Sequence, residues 1–188
     1  MDDLTFIREY FERYRQTLFA ADVSNEIMAM RDLLLNAKEM RKKVILAGNG
    51  ASASIAGHGA FDFTKQAGIR ALSFSESGLI TAFSNDCGFE MWIQKALEFY
   101  AEHGDVIVLI SSSGRSPNVV NAAKFAKEMG NPVVTFTGFD RENPLKSLGD
   151  INFWVDSKAY NIIENTHSIW LMAVCDLIIG ESEYSVSG

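Results

Sequence analysis

The chain has no basic excess, little cysteine and no long apolar run, and each shortage removes a class of protein. Its 17 Lys and Arg are outnumbered by 24 Asp and Glu, for a formal net charge of −7. A nucleic acid held through its phosphate backbone needs the opposite sign, so no direct nucleic-acid partner is expected. Only two cysteines occur, Cys87 and Cys175, with no Cys-x-x-Cys spacing. They make neither a disulfide framework nor a zinc knuckle and read as reduced thiols of a cytoplasmic protein. The opening residues Met1-Asp2-Asp3-Leu4 are acidic and lack the basic and apolar regions of a secretory signal. The longest apolar stretch, around 169–179, is interrupted by Asp176. It falls short of the roughly 20 residues that cross a bilayer, so no membrane partner is expected. No Pro/Ser-rich linker, repeat or low-complexity segment divides the chain, and residues 1–188 read as one domain with a polar, frayed tail at 181–188.

What is present fits a packed α/β protein. Hydrophobic residues make up 47% of the chain, enough for a core without disulfides. Residues 1–40 read as a two-helix extension. Ile7, Tyr10, Phe11, Tyr14 and Leu18 recur at helical spacing, as do Ile27, Met30, Leu34 and Ala37, with Ser24 or Asn25 as the second helix's cap. Large aromatics on such an extension suggest burial against another surface, such as a second subunit. Five short apolar runs follow, at 44–47, 71–74, 106–110, 133–136 and 151–155. Helical segments at about 52–66, 78–101, 117–129 and 160–179 separate most of them. This alternation predicts a parallel sheet with helices on both faces and right-handed crossovers.

Ligands of open α/β sheets bind beyond the carboxyl ends of the strands. After the third run comes Ser111-Ser112-Ser113-Gly114-Arg115-Ser116-Pro117. Ser116 suits an N-cap and Pro117 the first helical position. A helix N-terminus supplies free N–H groups and partial positive charge, so this turn reads as a phosphate site rather than as a flexible serine loop. It is not a Walker A loop, because no Gly-Lys-Ser/Thr is present. After the first run comes Gly48-Asn49-Gly50-Ala51-Ser52. It lacks the third glycine and the distal acid of a dinucleotide fingerprint, and reads as a turn that lets backbone approach a small ligand. His58 and Asp62 share a helix face, as an ordinary surface pair or as groups near the ligand end. Asn85-Asp86-Cys87-Gly88 is a polar break that suits a ligand loop or a plain turn. Glu164 and His167 share a face of the last helix, where Glu164 equally suits a solvated first turn.

These turns, in this order, resemble the SIS (sugar isomerase) domain, and specifically its phosphoheptose isomerase branch, over nearly the whole chain. The motifs are Gly48-Asn49-Gly50-Ala51-Ser52, Asn85-Asp86-Cys87-Gly88-Phe89 and Ile110-Ser111-Ser112-Ser113-Gly114-Arg115-Ser116-Pro117-Asn118-Val119. The resemblance implies a five-stranded parallel, flavodoxin-like sheet and a homotetramer with active sites shared at subunit interfaces. It implies interconversion of sedoheptulose 7-phosphate and a heptose 7-phosphate. Ser52, Ser111, Ser112, Ser113 and Ser116 would bind the phosphate, and Asn49, Gly50, Asp86 and Asn161 would line the sugar site. No cofactor is required, although some members hold zinc.

The chain also departs from the branch. A catalytic glutamate is replaced by Asp62, four residues after His58. In the last helix Glu164 takes a glutamine position, Asn161 an aspartate position, and Met172 the place of a second, catalytic histidine. Aldose–ketose isomerisation needs a base near C1 and C2 and an acid or a metal for the oxygens. Asp62 is expected as the base, with Glu164 or His167 replacing the lost acid. Alternatively His58, Asp62 and Glu164 hold a divalent metal such as zinc. A second expectation is a phosphosugar-binding regulatory protein without turnover, of the replication-initiator-binding type. A third is an isomerase or lyase for another phosphosugar, because Glu164 and Asn161 alter the polar groups facing the sugar.

Overall fold

The computed structural model of the protein describes residues 2–183; the last residues of the tail expected at 181–188 lie outside that range. Five strands form one all-parallel sheet: β1 (Val44–Gly48), β2 (Ala71–Ser73), β3 (Val106–Ser111), β4 (Val133–Thr137) and β5 (Ile151–Trp154), in the order β2-β1-β3-β4-β5. The helices are α1 (Asp3–Tyr14), α2 (Ser24–Glu39), α3 (Ala51–Lys65), α4 (Ser77–Cys87), α5 (Trp92–Tyr100), α6 (Pro117–Glu128) and α7 (Tyr160–Ile179).

Alternate strand residues serve opposite faces, as a pleat of period two requires. Val44, Leu46, Val106, Val108, Ile110, Val134 and Phe136 pack with α2, α3 and α7. Ile45, Ala47, Ile107, Leu109 and Val133 pack with α5 and α6, and α4 leans on the same layer through Leu79, Ile80 and Phe83. The near-continuous burial of β1, β3 and β4 is what a sheet covered on both sides demands. β2, the weakest of the five runs in sequence, is an edge strand of intermediate burial.

The helical segment at 78–101 divides at the polar break expected at 85–88: Gly88 ends α4 at φ 85°, a backbone that L side chains rarely adopt. Two local expectations need correction. Ser24 does not cap α2; it is the first helical residue, and Asp22 Oδ1 accepts its N–H at 3.1 Å. The last apolar stretch is longer than 169–179. α7 spans 20 residues, and the mean hydropathy of its most apolar window, 1.4, meets the requirement for a membrane span by length and composition. It nevertheless lies against the sheet, with Ile163, Trp170, Leu171 and Val174 buried in the core shared with α2 and α3.

α3 and α7 lie side by side and run the same way. Ser52 and Glu164 meet at their first turns. Gly59 lies so close to Leu171 that a Cβ there would come within 2.7 Å of Leu171 Cδ2. Further along, Asp62 lies near enough to Cys175 and Asp176 for its charge to act on both.

In the N-terminal extension, α1 runs on into a π turn, Arg15–Phe19, and buries no residue. Tyr14 fastens it to α7: Asn165 Nδ2 donates to the Tyr14 hydroxyl at 2.8 Å, and that hydroxyl donates to the Asn161 carbonyl at 3.5 Å. Phe6, Phe11 and Phe19 remain exposed. An open groove of about 1000 Å³, lined by Tyr10, Phe11, Leu18, Phe19 and Ile169 among others, separates the extension from α7.

Candidate active site

The strand order reverses between β1 and β3, so the chain leaves β1 toward α3 on one face and β3 toward α6 on the other. Diverging turns at such a point leave a crevice at the strands' carboxyl ends. Here it is a cleft of about 140 Å³, lined by Asn49, Ser52, Ile110, Ser111, Ser112, Ser113, Ser116, Tyr160 and Glu164.

Each wall follows from its sequence. Gly48 is required because a Cβ there would lie 2.8 Å from the Ile110 carbonyl and 2.7 Å from Ser52 Cβ. Gly50 takes φ 55° and starts α3. Gly114 takes φ 62°, and a Cβ on it would collide with the buried Asn143 side chain. Ser116 is the N-cap residue of α6 with Pro117 behind it, but its hydroxyl does not cap. It lies 3.1 Å from Ser111 Oγ instead. Ser113 Oγ accepts the Arg115 N–H at 3.2 Å, and Ser112 Oγ donates to Glu164 Oε1 at 3.4 Å.

Among the described residues, no cationic side chain lines the cleft. Arg115, within the serine turn, is held away by Asp140 at 2.7 Å. An anion here would be met by hydroxyls, backbone N–H groups and the positive ends of α3 and α6. Glu164 places a carboxyl on the rim.

The other expected site residues lie elsewhere. Asp86 is exposed in the last turn of α4, where Asn85 Nδ2 donates to its carboxylate at 3.0 Å. Asn161 is exposed in the first turn of α7. His58 Nε2 is 3.1 Å from Asp62 Oδ2, with the His58 ring stacked on the exposed Phe61 at 5.0 Å. That pair sits well beyond the cleft. Ser52 and Asp62 are separated by ten helical residues, about 15 Å of rise.

Asp62 and Glu164 therefore do not converge within one chain. Within one chain the expected metal ligands His58, Asp62 and Glu164 do not come together either: among the described residues, no three His, Cys, Asp or Glu side chains of one chain meet at a metal position.

His167 does not reach the cleft. It is fully buried, edge-on to Phe136, and its Nε2 lies 3.0 Å from the Thr137 carbonyl, a contact made by an Nε2–H donor. Burial pushes its pKa down from 6.5 to about 4, against a smaller upward pull from Thr137. Met172 packs against the core. Cys175 is buried and its thiol is pushed up to about 12, by burial first and then by Asp62 and Asp176. Burial likewise raises Asp176 above the usual carboxylate range, with a further push from Asp62.

One residue of the cleft lining, Tyr160, and one behind it, Asn118, were given no role in the sequence reading. Tyr160 had no motif around it. Asn118 carried a weak signal: it follows Pro117 in the helix that the serine turn begins. It is buried and pairs with Asn49.

A family model described as the SIS domain matches residues 9–138. A phosphoheptose isomerase of Fusobacterium nucleatum is 30% identical over 94% of this chain and 93% of its own length. The chain belongs to the phosphoheptose isomerase branch of the SIS domain family. Solved phosphoheptose isomerases share the architecture. The one from Francisella tularensis gives a TM-score of 0.86 at 25% identity, covering 96% of this chain and all (100%) of that one. The one from Neisseria gonorrhoeae gives 0.84 at 28%, covering 93% and 96%.

Proposed function

We propose that this chain is a sugar-phosphate isomerase that interconverts sedoheptulose 7-phosphate, or a closely related ketose phosphate, with its aldose. The observation that carries this reading is the cleft at the β1/β3 crevice, lined by five serines at two turns that start helices. Hydroxyls and helix N-termini without a cation suit a phosphate that must be released after each turnover. At about 140 Å³ the cleft is smaller than the ~300–1,000 Å³ of a complete small-molecule site. It takes the phosphate end and leaves the reacting carbons outside.

Asp62 is assigned as the base. Its carboxylate removes a proton from C1 of the ketose, and the C–H electron pair forms an enediolate with charge on O2. The proton returns to C2 as the carbonyl forms at C1, and the O1 proton passes to O2. Glu164, at the cleft, is assigned the exchange between oxygens; His167, buried and neutral, is not. Because about 15 Å separates Asp62 from the cleft of its own chain, the base serving each cleft is assigned to a second copy in a homotetramer. The exposed aromatics of the extension supply apolar surface for that contact. We assign the enzyme to the cytoplasm.

A coupled assay with sedoheptulose 7-phosphate tests this reading, alongside thermal shift with a panel of sugar phosphates. Turnover is expected. Met172 supports a second reading, because a thioether cannot exchange protons where the branch carries a histidine. Stabilisation by a sugar phosphate with no turnover of any panel member would establish that reading, a binding protein, and end the first.

A further inference from the structure

The last ladder pair between β1 and β3 is Gly48 with Ile110. Beyond it the two turns part, one toward α3 and the other toward α6. A reciprocal pair of carboxamides joins them. Asn118 Nδ2 donates to Asn49 Oδ1 at 2.8 Å, and Asn49 Nδ2 donates to Asn118 Oδ1 at 3.0 Å. The partners are unequal. Asn118 is 1% exposed, whereas Asn49 is half-buried and lines the cleft.

A carboxamide carries two N–H donors and an oxygen with two lone pairs. The pair uses one donor and one lone pair on each side. Asn49 keeps one of each for a ligand, in directions set by Asn118, because turning the Asn49 amide breaks both bonds at once. The serine turn does not share this dependence; its own contacts are Ser111 with Ser116, Ser113 with Arg115 and Ser112 with Glu164.

We infer that Asn118 is a positioning residue for the sugar end of the ligand. It acts through Asn49, and the phosphate is held independently of it. This rests on the phosphosugar reading of the cleft. The amide pair extends the β1–β3 ladder past its last backbone bond and fixes the angle between the sugar-facing amide and the serine turn.

The test is calorimetric titration of sedoheptulose 7-phosphate and of inorganic phosphate into the unsubstituted protein, Asn118→Leu and Asn118→Ser. Leucine keeps the volume and removes the pair; serine serves where leucine disturbs folding. Sugar-phosphate affinity should fall about tenfold, as expected for two net hydrogen bonds. Phosphate affinity should stay within about twofold. Equal losses for both ligands would mean that Asn118 merely supports α6, and no loss for either would mean that the pair orients nothing; both results overturn the inference. In an Asn49→Ala background, Asn118→Leu should cost the sugar phosphate nothing further, and additive losses would also overturn it. Failure of the phosphosugar reading is seen separately, as inorganic phosphate binding without sugar-phosphate binding in the unsubstituted protein, and it removes this inference as well.

Discussion

At their first turns, α3 and α7 bring Ser52 and Glu164 to one cleft with the serine turn. Roughly three turns later, the same two helices bring Asp62 beside Cys175 and Asp176, in a setting that raises both neighbours' pKa values. The first end is lined by three chain segments and has hydroxyls beside two helix N-termini. The second has a histidine–carboxylate pair, with His58 47% exposed and no phosphate-binding turn nearby. One chain thus gathers its serine turns at one end and holds the His58–Asp62 pair at the other, with His58 exposed and the Asp62 side chain only 13% exposed. Side chains on parallel helices meet only at matching axial levels, and Asp62 and Glu164 are not at matching levels.

Substitutions at the two ends separate these roles. The largest effect is expected from Asp62→Ala. Loss of a general base should lower kcat by about 10³-fold while sugar-phosphate binding by calorimetry stays nearly unchanged. Activity near that of the unsubstituted enzyme would remove Asp62 from the mechanism.

His167 lies between the two ends and gives the next largest effect. Its folded pKa of about 4 lies below the ordinary 6.5, so the unfolded chain binds the extra proton between these values. Stability should be full above pH 6.5 and decline as pH falls through 6.5 toward 4, by about 3 kcal/mol in all. His167→Gln keeps a donor for Thr137 but cannot titrate, so its chemical denaturation midpoints should lack that component. An unchanged pH slope in this variant would mean that another group controls it.

At the cleft end, Ser111→Ala should weaken inorganic phosphate binding by about tenfold, the usual cost of one hydrogen bond to a charged group. For phosphate binding, as distinct from turnover, the smallest effect is expected from Glu164→Gln. Removing a carboxylate from the rim of an anion site should tighten phosphate binding a few-fold, on the order of 1 kcal/mol near solvent. The gain should shrink as salt rises. Weaker phosphate binding in Glu164→Gln would show that Glu164 serves the anion as a partner and not as a repelling neighbour.

Much of this was readable along the chain. Val106-Ile107-Val108-Leu109-Ile110 has the uniform apolarity of a strand buried on both faces, and it is one. Pro117 after Ser116 announced a helix start beside four serines, and α6 begins there. These are short-range matters, decided by periodicity and by the torsions that proline and glycine impose. His167 shows where such reading stops. Its spacing from Glu164 puts both on one face, but one turn deeper the face passes from the cleft to the core. Only the packing against Phe136 and Thr137 reveals that.

By itself, then, the sequence determined the alternation of strands and helices and the crevice turns with their hydroxyls at helix starts, because each depends on neighbours a few residues apart. The tertiary structure alone decided three things. Asn118 pairs with Asn49 from 69 residues away. His167 is buried and neutral. Gly59 admits Leu171 and so sets the level at which α7 passes α3, which keeps Asp62 and Glu164 apart. Each depends on distances between segments that the packed core sets and that no local pattern carries.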